Sequence, residues 1–201
     1  MWRSVRCMAV GLAGLAATAW GQEEPRAVQE IRRELASLPT YTVFDLVSFE
    51  YLKGTVVLGG YVTEPSLKRA AENAVKRVEG VEQVVNQIES LPNSISDDAL
   101  RSELYRAIYR DSPLSRYGTA DDSLTASRPR AHPWGRVADR PFSGMEPIGP
   151  HAIHVIVNRG NVMLAGVVDR LEDKQLAELK AKGVFGVRKV DNHVEVAGRA
   201  N

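Results

Sequence analysis

A nine-residue pattern that recurs without a gap constrains this chain more than any other feature. Gly54-Thr-Val-Val-Leu-Gly-Gly-Tyr-Val62 and Gly160-Asn-Val-Met-Leu-Ala-Gly-Val-Val168 both read Gly-x-Val-x-Leu-x-Gly-x-Val, 106 residues apart. The agreement continues at the same offset. Lys68 falls on Lys174, Ala71 on Ala177, Gly80 on Gly186, Val84 on Val190 and Asn86 on Asn192. A fixed internal period outranks local propensity in deciding architecture, so the chain reads as two copies of one small domain.

The flanking residues say what each copy contains. Val28, Ile31, Leu35 and Leu38 recur at helical spacing, and Pro39 ends that stretch. Thr42 to Tyr51 is β-branched and aromatic, with Val47, Phe49 and Tyr51 on one parity, and reads as a strand. Leu52-Lys-Gly-Thr55 is the turn to a second strand, on which Val56, Leu58, Gly60 and Val62 share a face. Gly60, small among large neighbours, marks a close approach, for which a packed helix is expected. Glu64-Pro65 opens a second helix with a narrow alanine-rich face, and Gly80 stops it. Val81, Val84 and Ile88 form a third strand. Asn86 lies on its inward parity and is expected to bond backbone, because an unpaired buried amide is costly.

The second copy repeats this order. Ser96 is the expected cap of a helix whose stripe is Leu100, Leu104, Ala107 and Ile108, with Asp97 and Asp98 favoured by the helix dipole. Residues 111–149 then interrupt it, a proline-rich segment without apolar periodicity that reads as an exposed, partly disordered loop. Ile153, Val155 and Val157 resume the pattern, Asn158-Arg-Gly160 turns the hairpin, and Asp169 with Glu172 suggests a capping box. The expected class is α+β. Each copy is a small sandwich of order helix-strand-strand-helix-strand, with a three-stranded mixed sheet and two helices on one face.

The chain starts with a basic Met1-Trp-Arg-Ser-Val-Arg6 and then runs uncharged from Met8 to Ala19. That run falls short of the roughly 20 apolar residues a bilayer span requires. It fits a signal peptide, expected over residues 1–21 and cleaved after Ala19 or Gly21; an uncleaved anchor is the alternative. Cys7, the only cysteine, lies inside it, so the mature chain would hold no disulfide, thiolate metal site or cysteine nucleophile. Loss of Arg3 and Arg6 would take the formal charge from +1 to −1. With export, that balance argues against a nucleic-acid partner.

Helix, hairpin, helix and strand, with the glycine-valine pattern followed by Gly-Val-x-x-Val-x-Asn, resemble the BON domain. The resemblance spans residues 26–92 and 96–198, and its shared positions are Gly54, Gly60, Gly80, Asn86 and their counterparts Gly160, Gly166, Gly186, Asn192. It implies an exported, periplasmic protein of envelope maintenance or of osmotic and envelope stress. Such a protein would bind phospholipid peripherally, or act on envelope proteins as a chaperone or scaffold.

Residues for chemistry are scarce. His151 and His154 make a His-x-x-His, but along a strand positions three apart face opposite ways, so no metal is expected there. A nucleophile elbow, a P-loop and a dinucleotide-binding glycine motif are all missing, so neither catalytic residues nor a cofactor is expected. One cluster on the 97–110 helix suits a lipid headgroup zone. Tyr105 and Tyr109 stand one turn apart beside Arg106 and Arg110, rings for the interface and guanidiniums for phosphate, and anionic phospholipid is the partner they suggest.

Overall fold

The computed structural model describes residues 26–110, 113–118 and 151–197. In the first repeat α1 (Arg26–Ala36) precedes the hairpin β1 (Leu46–Leu52) and β2 (Thr55–Val62). Helix α2 (Pro65–Val75) then leads to β3 (Gln83–Asn86) and β4 (Glu89–Ser90). In the second, α3 (Ile95–Tyr105) runs into a π-helical turn, Arg106–Arg110, and a 3₁₀ turn, Pro113–Tyr117. The hairpin β5 (Ile153–Asn158) and β6 (Asn161–Val168), helix α4 (Leu171–Lys182) and strand β7 (Lys189–Val196) complete it.

Both sheets are mixed. β2 is antiparallel to β1 and parallel to β3 and β4; β6 is antiparallel to β5 and parallel to β7. Each hairpin turns on two residues of positive φ, Lys53-Gly54 and Arg159-Gly160, the type I′ geometry that matches strand twist. One face of each sheet meets its two helices. Val47, Phe49, Val56, Leu58 and Val62 join Ile31, Leu35, Leu67 and Ala71 in one core. Ile153, Val155, Val162 and Leu164 join Leu100, Leu104, Ala177 and Ala181 in the other. This α+β arrangement is the one the alternating and helical spacings imply.

Several local expectations are corrected. Gly60 and Gly166 have φ of 114° and 147°, and a Cβ there would lie 2.0 and 1.9 Å from the carbonyl oxygens of Leu46 and Ala152. The close approach is therefore the neighbouring chain at the mouth of the hairpin, not a helix. Ser94, rather than Ser96, caps α3, its hydroxyl accepting from the Asp97 N–H at 3.3 Å. Asp169 makes no cap, since α4 starts after Arg170 without a side-chain cap bond and Asp169 is engaged by Tyr117. The stretch 42–45 is a turn preceding β1 rather than strand.

Within the loop expected over residues 111–149, residues 113–118 are folded. Leu114 and Tyr117 are 0% and 5% exposed and belong to the second core. Residues 111–112 and 119–150 lie outside the described residues, as does the leader expected over residues 1–21.

Candidate functional site

The Tyr105–Arg110 cluster does not present its tyrosines as the helical spacing suggests. The π-helical turn at Arg106–Arg110 adds a residue to the helical cycle and rotates Tyr109 inward. Tyr109 is 4% exposed; its hydroxyl donates to the Ile153 carbonyl and accepts from the Ile153 N–H at 3.1 Å. Desolvation pushes this phenol well above its ordinary pKa, outweighing the bond to Ile153. Tyr105 is half-buried and packs against Phe44, ring centroids 6.3 Å apart. Arg106 and Arg110 are exposed, and Arg106 pairs with Glu103 at 2.7 Å. The arginines are thus at the surface while the Tyr109 ring is core.

Phe44 belongs to a joint between the repeats that sequence reading missed. Residues 41–45 of repeat one lie along β5 of repeat two, where the Val155 N–H donates to the Val43 carbonyl at 2.8 Å. Val43 is buried in the second core and Tyr41 in the first. Asp45, fully buried, locks the turn. Its carboxylate accepts from the backbone and hydroxyl of Thr42 at 2.9 and 2.6 Å, and from those of Thr63 at 2.7 and 2.8 Å. The only sequence signal for this joint was the apolar pair Val43-Phe44 within a turn.

His154 sits at this joint, fully buried, with its ring 5.5 Å from Tyr41. Neither ring nitrogen reaches a partner in hydrogen-bond geometry, although the Asp45 backbone is adjacent. Desolvation, with His151 nearby, pushes its pKa down to about 3, so the imidazole is neutral. His151 precedes β5 instead of lying on it, so strand alternation does not separate the pair, and their centroids are 6.0 Å apart. Two imidazoles fall short of a site. No group of three His, Cys, Asp or Glu able to hold a metal occurs among the described residues.

The remaining buried charges hold structure. The Asp97 carboxylate accepts from the Arg159 and Gly160 N–H groups at 2.7 and 3.0 Å, tying α3 to the hairpin turn. Asp173 accepts from Tyr117 at 2.7 Å and from Arg116. Burial alone would raise this carboxyl, but the bonds from Tyr117 and Arg116 outweigh it and hold its pKa below the ordinary value. The Tyr117 phenol is pushed up to about 12, by desolvation first and by Asp173 next. Asn86 donates to the Lys68 carbonyl at 2.9 Å and to Glu72 at 3.0 Å, while accepting from the Ile88 N–H at 3.1 Å. Asn192 makes the same three bonds, to Lys174, Glu178 and Val194, at 3.0, 3.1 and 3.1 Å.

A family profile for the BON domain matches residues 28–92 and 145–198, more than half of the chain. The chain belongs to the BON domain family. This BON protein is thereby an envelope-associated binding module, carrying two copies of the domain. No curated protein matches it. Among solved structures it is similar to CdsD, a structural protein of the type III secretion system of Chlamydia trachomatis. That similarity has 16% identity over 84% of this chain and 91% of the other, with a TM-score of 0.26. A C-terminal domain of the same protein gives 16% identity, 86% and 98% coverage and a TM-score of 0.27. Likeness at that level carries no argument about function. Among the described residues no helix is long and apolar enough to cross a membrane.

Proposed function

We propose that this protein is an exported, periplasmic, non-enzymatic module that engages anionic phospholipid surfaces peripherally, as part of envelope maintenance. Tandem BON domains carry the reading. Two further features support it. The uncharged Met8–Ala19 run after a basic start suits export. The buried acids and Arg101 are spent on turn, hairpin and side-chain bonds rather than converging on a cavity as a catalytic set would. The lipid contact is made by exposed side chains, with the arginines meeting phosphate and the Tyr109 ring taking no part.

Sedimentation of the mature protein with phosphatidylglycerol vesicles tests the reading. Co-sedimentation that falls as salt is raised is expected. A protein that stays in the supernatant with every vesicle, yet suppresses aggregation of an unfolded client, would instead be a chaperone.

A further inference from the structure

The duplication supplies its own control, because the same end of each repeat is built on one scaffold and differs at the apex of the turn that leads to the last strand. In both, an open groove lies between the first helix and the turn that leads from the second helix to the last strand. The scaffolds share two backbone bonds. In repeat one the Val81 N–H donates to Val78 at 3.2 Å and the Glu82 N–H to the Gly54 carbonyl at 2.7 Å. In repeat two the Val187 N–H donates to Val184 at 3.3 Å and the Arg188 N–H to the Gly160 carbonyl at 2.8 Å. Val184 and Val187 pack against the second core, so the turn is anchored on both sides of its apex.

On that shared frame, Glu79 of repeat one is replaced by Phe185 and Glu82 by Arg188. Glu30, just before the core Ile31, is replaced by Ala99 before Leu100. Phe185 is 101% exposed, the most exposed large apolar side chain among the described residues. The anionic groups of this groove are already engaged. Asp97 is bonded to the hairpin backbone and Glu103 is paired with Arg106. The guanidiniums of Arg159 and Arg188 form no ion pair among the described residues. What this end offers is a solvent-facing aromatic on an anchored turn, with two guanidiniums lining the same groove.

We propose that this end of repeat two, with Phe185, Arg159 and Arg188 around one groove, is where the protein enters an anionic phospholipid surface. The proposal rests on the membrane reading above and moves the contact from the face of α3 to one end of the second repeat. Phe185 sits at the headgroup–acyl boundary, where an aromatic ring is favoured, and the guanidiniums take lipid phosphates as paired hydrogen-bond donors. The matching end of repeat one keeps a cation, Lys53, in the place of Arg159, but it puts Glu79 and Glu82 where Phe185 and Arg188 stand, so it offers neither the ring nor the second guanidinium. Membrane contact is therefore one-sided.

The test is partitioning of the full chain onto vesicles of phosphatidylglycerol and phosphatidylcholine, against phosphatidylcholine alone. Wild type is expected to prefer the anionic vesicles. Arg159→Gln and Arg188→Gln should each weaken partitioning about fivefold, and Phe185→Ser by about tenfold. Thermal melting should not change, because all three side chains are exposed. Glu79→Phe with Glu82→Arg should give repeat one a second contact and raise partitioning. If wild type binds and Phe185→Ser/Arg188→Gln binds equally, this site is wrong while the membrane reading stands. A wild type that ignores both vesicle types defeats both. Loss of crosslinks to envelope proteins in Phe185→Ser, without any vesicle binding, would assign the surface to a protein instead.

Discussion

The asparagine brackets of the two repeats agree bond for bond, whereas the heads of the two hairpins agree only on the first strand. There a tyrosine hydroxyl accepts from the backbone, Tyr41 from the Val47 N–H and Tyr109 from the Ile153 N–H, while different side chains lock the second strand. Asn86 and Asn192 each hold helix to last strand through the same carbonyl, glutamate and N–H. At the head of the hairpin, repeat one uses the Asp45 carboxylate with Thr42 and Thr63, and repeat two uses the Tyr117 hydroxyl with Asp169 and Asp173. The third strand differs too. β7 pairs with β6 from Asn161 to Val168, while its counterpart is split into β3 and β4 on the same edge of β2. Bonds inside the repeated unit were kept by its own geometry. Beyond the shared tyrosine, bonds at the mouth of the hairpin depend on what enters it, and that differs between a short turn and a long insertion.

The comparison breaks first, and hardest, at the paired glycines. Gly60→Val and Gly166→Val each force a Cβ into a backbone carbonyl at positive φ, so each should cost about 3 kcal/mol or more in urea denaturation. Markedly unequal losses would show that the two hairpin mouths are not equivalent. Next, Asp45→Ala strips four bonds from a buried turn and should cost about 3 kcal/mol, while Tyr117→Phe should cost about 1–2 kcal/mol. Calorimetry on both variants would measure this gap, and equal losses would erase the distinction drawn between the two anchors.

The joint between the repeats adds a pH dependence. In the folded protein the His154 pKa is about 3, below the ordinary value of 6.5, so the unfolded chain binds the extra proton. Stability from this group is therefore complete above pH 6.5 and declines as pH falls toward 3. The loss should be about 2 kcal/mol by pH 5, above the range where most carboxylates titrate. A His154→Leu protein should lose this slope between pH 7 and pH 5, and a slope that persisted would place its origin elsewhere. The smallest effect is expected at the bracket. Asn86→Ala and Asn192→Ala should each cost about 1 kcal/mol, alike within error if the bracket is a property of the repeated unit.

Much of the architecture was legible because burial imposes a period. The strands showed as alternation in Val56, Leu58 and Val62, the helices as stripes such as Leu67, Ala71 and Val75, and the hairpins as a glycine after Lys53 and Arg159. Asn86 and Asn192 were legible as polar residues on an inward parity. The candidate site was less so. Helical spacing put Tyr105 and Tyr109 on one surface, but a single π turn carried Tyr109 inside. Phe185 passed unnoticed because one aromatic in a turn has no periodicity to set it apart.

The sequence by itself determined that there are two units, what elements each contains and which positions pack, since a duplicated pattern and its periods are properties of the chain alone. Only the tertiary structure decided how the units meet and which side chains remain outside. Val43 reaching the second core, the unpartnered imidazole of His154 and the exposure of Phe185 all depend on what lies opposite in space. No local pattern encodes a neighbour that comes from a hundred residues away.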